Sequence, residues 1–176
     1  MEISTYEQFA AFAKAVNAGT AEAYASVKLT ADITIPAGTT WTPIGSAANP
    51  YTGVFDGDGH TVSGLTASIT AAEYNAENDS VPFGLFGQTQ GATIKNLKMS
   101  NVEISGSAGS GSGILCGRSI ATTISGCTID NSCTFNGNTA MVGGLGCMLI
   151  ERTVSDCAVA EQLQLENHPP PAGGYD

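Results

Sequence analysis

The stretch Phe83-Gly84-Leu85-Phe86-Gly87-Gln88-Thr89-Gln90-Gly91-Ala92-Thr93-Ile94-Lys95-Asn96-Leu97-Lys98-Met99 decides the fold, because its apolar positions return twice at a spacing of 30 residues. Leu85 is followed by Leu115 and Leu145, Ile94 by Ile124 and Val154, Leu97 by Cys127 and Cys157, and Met99 by Ile129 and Val159. Self-similarity at a fixed period marks a stacked architecture. Each unit holds three short apolar pieces, such as Phe83/Leu85, Leu97/Met99 and Val102/Ile104, separated by Gly, Ser, Thr or Asn. Three strands of about 3 to 5 residues plus turns fill such a unit, leaving no room for a helix and excluding tetratricopeptide, ankyrin and leucine-rich designs. The expected fold is all-β: a right-handed parallel β-helix (solenoid) of about four to five coils with an N-terminal capping α-helix. Coils stack about 4.8 Å apart, so equivalent residues form inward ladders.

Outward from that stretch the period holds unevenly. Phe55 and Gly57 stand 30 residues before Leu85 and Gly87, which extends the expected repeat backwards. The third strand slips, since Ile104 aligns with Phe135 at a spacing of 31 and Phe135 with Leu165 at 30; one extra turn residue accounts for it. Residues 70–82 carry Glu73, Glu77 and Asp79 and break the apolar pattern, so they are expected to form a surface loop inserted between coils.

Ser4-Thr5-Tyr6-Glu7 has the pattern of a capping box, with Ser4 accepting from the third helical N–H and Glu7 reaching back to the Ser4 amide. Tyr6, Phe9, Phe12, Ala13 and Val16 recur at helical spacing, and Asn17-Ala18-Gly19 supplies a stop, which predicts a helix over 5–17. Val27, Leu29, Ile33 and Ile35 then mark a strand region before a turn at Pro36-Ala37-Gly38. This divides the chain into an N-terminal cap region at 1–26, coils at 27–166 and a Pro/Gly-rich tail at 167–176. A stack of coils ends in unpaired strand edges. The helix is the expected lid at one end; beyond Leu165 the stack is expected to be continued by further coils or capped by a neighbour, including end-to-end self-association through the last coil.

The 176 residues fit one domain able to bury a core without staples. With 16 acidic side chains against 6 basic ones, the net charge of -10 repels phosphate backbones, which argues against nucleic acid as a partner. The basic residues Lys14, Lys28, Lys95, Lys98, Arg118 and Arg152 are scattered, which disfavours an anionic membrane surface. No run approaches the ~20 apolar residues of a membrane span. A 12% charged content, with a surface built from Ser, Thr, Asn and Gly, suits an extracellular β protein. The start lacks a basic and apolar leader, and His168-Pro169-Pro170-Pro171 leads toward a linker, so the chain is expected to be a segment of a longer secreted protein.

Five pieces carry a family resemblance: Leu29-Thr30-Ala31-Asp32-Ile33, Trp41-Thr42-Pro43-Ile44-Gly45, Phe55-Asp56-Gly57-Asp58-Gly59-His60-Thr61-Val62, Gly84-Leu85-Phe86-Gly87 and Ile94-Lys95-Asn96-Leu97. As a set covering nearly the whole chain, they resemble bacterial surface proteins with GLUG-type repeats. The resemblance implies a right-handed β-helical module of a large secreted or wall-attached protein, adhesin-like, and it carries over no catalytic residue. The later coils depart from the motif: Gly113-Ile114-Leu115-Cys116-Gly117 lengthens it, and Gly144-Leu145-Gly146-Cys147 replaces its last glycine.

Candidate chemistry is sparse. Cys127 and Cys157 share a column and are expected to form a core stack; with Cys116, Cys133 and Cys147 they make no CxxC pair and no zinc pattern. Asp56-Gly57-Asp58-Gly59-His60 alternates oxygen ligands with glycines, yet lacks the downstream bidentate Glu of a calcium loop, since Ala67 stands there; a tight turn is expected. The outward columns Lys98/Thr128/Ala158 and Lys95/Ser125/Ser155 are no catalytic set, and Arg152, Asp156 and Asp130 are expected to form a solvated rim. His60 sits in a turn, His168 in the tail, and no nucleophile-elbow sequence is present. Asn101 and Asn131 fall in one column, as stacked turn residues would. The outward Thr and Ser change identity at every step, unlike an ice-binding array. Tyr6, Tyr24, Tyr51, Tyr74 and Trp41 either form a sugar-binding platform or pack the cap.

No catalytic, cofactor or metal residue is therefore assigned. The expected function is non-enzymatic: a rigid module of a bacterial surface or secreted protein that presents its faces and the 70–82 loop to a protein or glycan partner. The alternative is a carbohydrate-active β-helix, of the lyase or glycosidase kind. Two or more exposed carboxylates with a basic residue in a groove would favour the enzyme.

Overall fold

A computed structural model describes residues 1–20, 24–69, 83–106, 111–137, 141–160 and 164–166. The 70–82 loop and the 167–176 tail lie outside these residues. The chain opens with β1 (Glu2–Ile3) and helix α1 (Tyr6–Asn17). The first coil follows with β2 (Ser26–Leu29) and β3 (Ile33–Thr34), and the second with β4 (Val54–Asp56), β5 (Thr61–Ser63), β6 (Thr66–Ile69) and β7 (Phe86–Gln90). The third contains β8 (Thr93–Lys95), β9 (Lys98–Ser100), β10 (Glu103–Gly106), β11 (Gly111–Gly113) and β12 (Cys116–Ile120). The fourth repeats it as β13 (Thr123–Ser125), β14 (Thr128–Ile129), β15 (Thr134–Gly137), β16 (Met141–Gly143) and β17 (Gly146–Ile150). A fifth begins with β18 (Thr153–Ser155), β19 (Ala158–Val159) and β20 (Gln164–Glu166).

Equivalent strands pair in parallel from coil to coil, in the orders β1-β2-β4-β8-β13-β18, β3-β5-β9-β14-β19, β6-β10-β15-β20, β7-β12-β17 and β11-β16. The result is a parallel β-helix of about four turns with one short helix. The 30-residue period is its register: Ile94 lies opposite Ile124 and Val154, and Met99 opposite Ile129 and Val159. β1 adds a rung before the first coil, with Ile3 opposite Leu29.

A full coil holds five short strands where the sequence predicts three. Single residues in the left-handed region make several of the bends: Asn96, Gly126 and Asp156 after β8, β13 and β18, and Gly91, Ala121 and Glu151 at the preceding corner. A one-residue bend leaves no polar gap for sequence periodicity to detect. Leu97 sits at such a bend and is fully buried, so one apolar piece spans two sheets.

The slip of the third strand is present, with Ile104 opposite Phe135 and Phe135 opposite Leu165. The extra residue lies in a turn that Asp130 closes, its Oδ1 accepting from the Ser132 N–H at 2.9 Å and from the Ser132 hydroxyl. That insertion sets Ser132 opposite Asn101, whose N–H donates to the Ser132 Oγ at 2.6 Å. Asn101 has φ 49°, whereas Asn131 is not left-handed, so the two do not share the expected turn column. A second expectation fails earlier in the chain. Phe55 pairs with Val27 and Ile94 in the first sheet, while Leu85 precedes β7 in another, so their 30-residue spacing is coincidental. The insertion between β6 and β7 makes the second coil longer than the later ones.

The helix starts one residue later than its predicted cap. Thr5 is the N-cap, its Oγ1 accepting from the Gln8 N–H at 3.3 Å, and Gln8 Oε1 accepts from the Ser4 N–H at 2.8 Å. The box is thus Thr5/Gln8 rather than Ser4/Glu7, because the apolar face must turn toward the coils. At the other end Thr20 N–H bonds Ala15 O and Gly19 N–H bonds Val16 O around a left-handed Gly19, a Schellman closure.

Phe9, Phe12, Ala13 and Val16 are buried on the first coil. Phe9 stacks on Trp41, and Phe12 packs against Tyr24, Tyr51 and Phe55. The core continues up the stack through Leu85, Leu115, Ile94, Ile124, Leu97 and Cys127, all at most 1% exposed. On the last described coil the same inward series becomes exposed, with Val154 at 39% and Val159 at 38%.

Candidate functional site

Two places outside the core concentrate polar groups. The first is the corner between the first two sheets, where the Asp56–His60 turn meets its neighbours above and below. Gly57 lies so close to the next coil that a Cβ there would sit 2.5 Å from Asn96 O. This approach draws the charged side chains of three coils together. Lys95 Nζ lies 3.0 Å from Asp56 Oδ2, Lys28 Nζ 3.0 Å from Asp58 Oδ2, and His60 Nδ1 3.2 Å from Asp32 Oδ1. Asp56 Oδ1 also accepts from the Asp58 N–H at 3.0 Å and from Asn96 Nδ2 at 3.1 Å.

These bonds fix the carboxylates as anions. The Thr61 N–H at 2.9 Å, then the His60 ring, hold the Asp32 carboxyl below its ordinary range. At Asp56 burial pushes upward, but the Asp58 N–H, Lys95 and Asn96 together outweigh it and the net displacement is downward. Lys28 is raised, first by its hydrogen bond to Asp58 and then by that residue's charge. A general acid requires displacement in the opposite direction. The turn expected from the sequence is therefore present; the tie from Asp56 and Asp58 to Lys95 and Lys28 in stacked coils is not legible there. Among the described residues no group of three or more His, Cys, Asp and Glu side chains is arranged to hold a metal ion.

The second place is a cleft of about 430 Å³ over the outer face of β6 and β10. Its walls are Gly38, Thr39 and Thr40 on one side and Thr66, Ala67, Ser68, Glu103 and Ser105 on the other. The loop wall is the turn expected at Pro36-Ala37-Gly38: Thr39 N–H bonds Pro36 O at 3.1 Å, and Gly38 takes φ +79°, a value only glycine adopts readily. Ser105 Oγ donates to Ala67 O at 3.2 Å, tying the two strands. A smaller cleft of about 290 Å³ separates Tyr6, Lys14 and Asn17 of the helix from Thr40–Thr42. Glu103 is the one carboxylate lining either of these clefts.

Comparison with protein-family models, curated proteins and solved structures returns no match.

The remaining sequence candidates are dispersed. Lys98/Thr128/Ala158 and Lys95/Ser125/Ser155 are true columns, but Lys95 is committed to Asp56. Arg152, Asp130 and Asp156 do not converge: Arg152 Nη1 donates to Leu149 O at 2.8 Å, and Asp130 serves its own turn. His168 and Tyr74 lie outside the described residues. The other aromatics pack the cap: Trp41 is 5% exposed with Nε1 donating to Leu85 O, and Tyr51 is 1% exposed, its phenol pushed up by burial. Cys116, Cys127, Cys133 and Cys157 are free thiols. Burial pushes Cys116 and Cys127 up to about 12 and Cys133 to about 11, which suits core residues.

A feature the sequence does not announce is Arg118. Its Nε is buried without a hydrogen-bond partner, and so is Gln88 Oε1, opposite it on the next coil. A donor and an acceptor facing one another across a coil step mark a site for side-chain pairing.

Proposed function

We propose that this protein is a non-enzymatic binding module, a rigid β-helical segment of a bacterial cell-surface or secreted protein that holds a partner against its outer faces. The observation that carries this is the separation of charge from space. The corner carboxylates Asp32, Asp56 and Asp58 are each paired with a cation and do not line the clefts, whereas the larger cleft is lined by hydroxyls and one carboxylate. A hydrolase or lyase needs a poised acid and base beside its substrate. The resemblance to GLUG-repeat surface proteins supports the same assignment, with an extracellular or cell-surface location as part of it.

The competing carbohydrate-active function has one observation in its favour: the corner does gather several exposed carboxylates beside lysines. A glycan and host-protein binding array run with a polysaccharide-degradation screen separates the two. Retention of a partner without release of reducing ends or unsaturated products is the expected result. Turnover that disappears in Asp56→Asn or Asp58→Asn would overturn the proposal.

A further inference from the structure

The sheet containing β6 is the only one of the two largest outer faces that the first coil does not enter. β3 of the first coil pairs with β5, and Ile35 N–H still bonds Ser63 O, but the chain then turns away at Pro36. β6 is left as the end strand of its sheet. Glu103 N–H bonds Leu65 O, so in the parallel ladder Leu65, Ala67 and Ile69 face β10 while the main-chain groups of Thr66 and Ser68 face the opposite edge. Residues 36–42 run past this edge without donating or accepting a main-chain bond there. The cleft described above opens along that edge, walled by Gly38–Thr40 and floored by Thr66, Ser68, Glu103 and Ser105.

An unpaired strand edge beside a cleft of this size is a template for strand addition, in which main-chain bonds supply affinity and alternate side chains supply selectivity. Its volume falls within the ~300–1,000 Å³ range of ligand clefts. β6 spans four residues, enough for a short extended segment. The charge is one-sided: Glu103 is the one ionisable group lining the cleft, and the chain carries a net charge of -10. A saccharide is less well served, because no aromatic side chain lines this cleft and Trp41 and Tyr51 are buried in the cap.

We propose that the outer edge of β6, between the Gly38–Thr40 turn and Glu103, takes an extended, positively charged peptide segment of a partner protein by parallel or antiparallel strand addition. This rests on the binding-module assignment and names the partner class for it. The segment occupies the position that a strand of the first coil would otherwise fill, bonding the Thr66 and Ser68 main chain while a Lys or Arg side chain reaches Glu103.

The test uses the whole chain and three acetylated, amidated heptapeptides: one alternating lysine and valine, its counterpart N-methylated at every second residue, and one alternating glutamate and valine. Amide hydrogen exchange and chemical shifts are followed by NMR. The lysine peptide is expected to slow exchange at Thr66 and Ser68 by at least ~10-fold at saturation and to shift Gly38–Thr40. The N-methylated and glutamate peptides are expected to leave both unchanged. Ser68→Pro removes an edge N–H, is tolerated in an end strand, and should abolish the effect; the N-methylated peptide tests the same bond without altering the fold. Equal binding of all three peptides, or protection elsewhere, overturns the proposal. A neutral oligosaccharide that shifts Thr66, Ser68 and Ser105 in place of the peptides overturns the partner class while leaving a binding module. Catalytic turnover in the degradation screen, by contrast, overturns the module itself.

Discussion

The ring of Phe9 on the helix stacks on that of Trp41 in the first coil, with centroids 5.4 Å apart and planes inclined by 11°. This pair fastens the lid to the stack, since Phe9 also meets Phe55 edge-on at 6.2 Å. Replacing Phe9 by Ala removes the stacked face and leaves a cavity over Phe55. A loss of about 3–5 kcal/mol is expected, as for other buried Phe truncations. Trp41 is the sole tryptophan, so its fluorescence should shift to the red in Phe9→Ala while urea unfolding gives the midpoint change.

The stack is legible in the sequence where coils have equal length. Leu85, Leu115 and Leu145 repeat because each coil returns the same Cβ to the same ladder. Where coils differ in length the signal fails: Phe55 finds Ile94 and not Leu85. The same cause hides the charged corner, whose partners Asn96 and Asp56 are 40 residues apart and Thr61 and Asp32 are 29 apart. No fixed period links such pairs. The helix face was readable from Phe9, Phe12 and Val16, but the cap residue depends on which way that face turns, a tertiary fact. The cleft was unreadable for a similar reason, because it follows from a strand that the first coil does not make.

The corner pairs give the protein an acid and an alkaline limb. Asp32 and Asp56 have folded values below the ordinary range, so their contribution is present above the unfolded value of about 4 and is lost as pH falls through the folded value. Lys28 is raised, so its contribution is present below its unfolded value of about 10.4 and is lost as pH rises through the folded one. Thermal midpoints should therefore fall below about pH 4, with a shallower acid slope in Asp32→Asn and Asp56→Asn. Lys28→Met should flatten the alkaline limb alone. An unchanged acid slope in both Asp variants would contradict the bonding described at this corner.

The thiols should divide into two classes. Cys116 and Cys127, at about 12, and Cys133, at about 11, hold almost no thiolate near neutrality. Cys157 is the most exposed of the four described cysteines. In a Cys147→Ser background, one thiol should react with a disulfide reagent at pH 8 and three should lag by at least ~10-fold until denaturant is added. Loss of the fast phase in Cys157→Ser would assign it.

Gly57 and Gly59 offer a comparison of close approach against backbone conformation within one turn. A Cβ at Gly57 would lie 2.5 Å from Asn96 O and 2.6 Å from Leu97 Cα, both main-chain atoms that can move only by separating two coils. At Gly59 nothing lies within 4 Å, but φ is +81°. Gly59→Ala should therefore cost the left-handed penalty alone, about 1–2 kcal/mol. Gly57→Ala must displace the β8–β9 bend, lengthen the Asp56 to Lys95 contact and disturb the buried Leu97, at a cost that meets or exceeds the ~1–3 kcal/mol of core overpacking. Urea midpoints should rank Gly57→Ala below Gly59→Ala, and in Gly57→Ala the amide of Asn96 should exchange faster than in the parent. The reverse order would mean that the coils at this corner yield more readily than a backbone torsion, and that the charged pairs, rather than contact between coils, hold the turn in place.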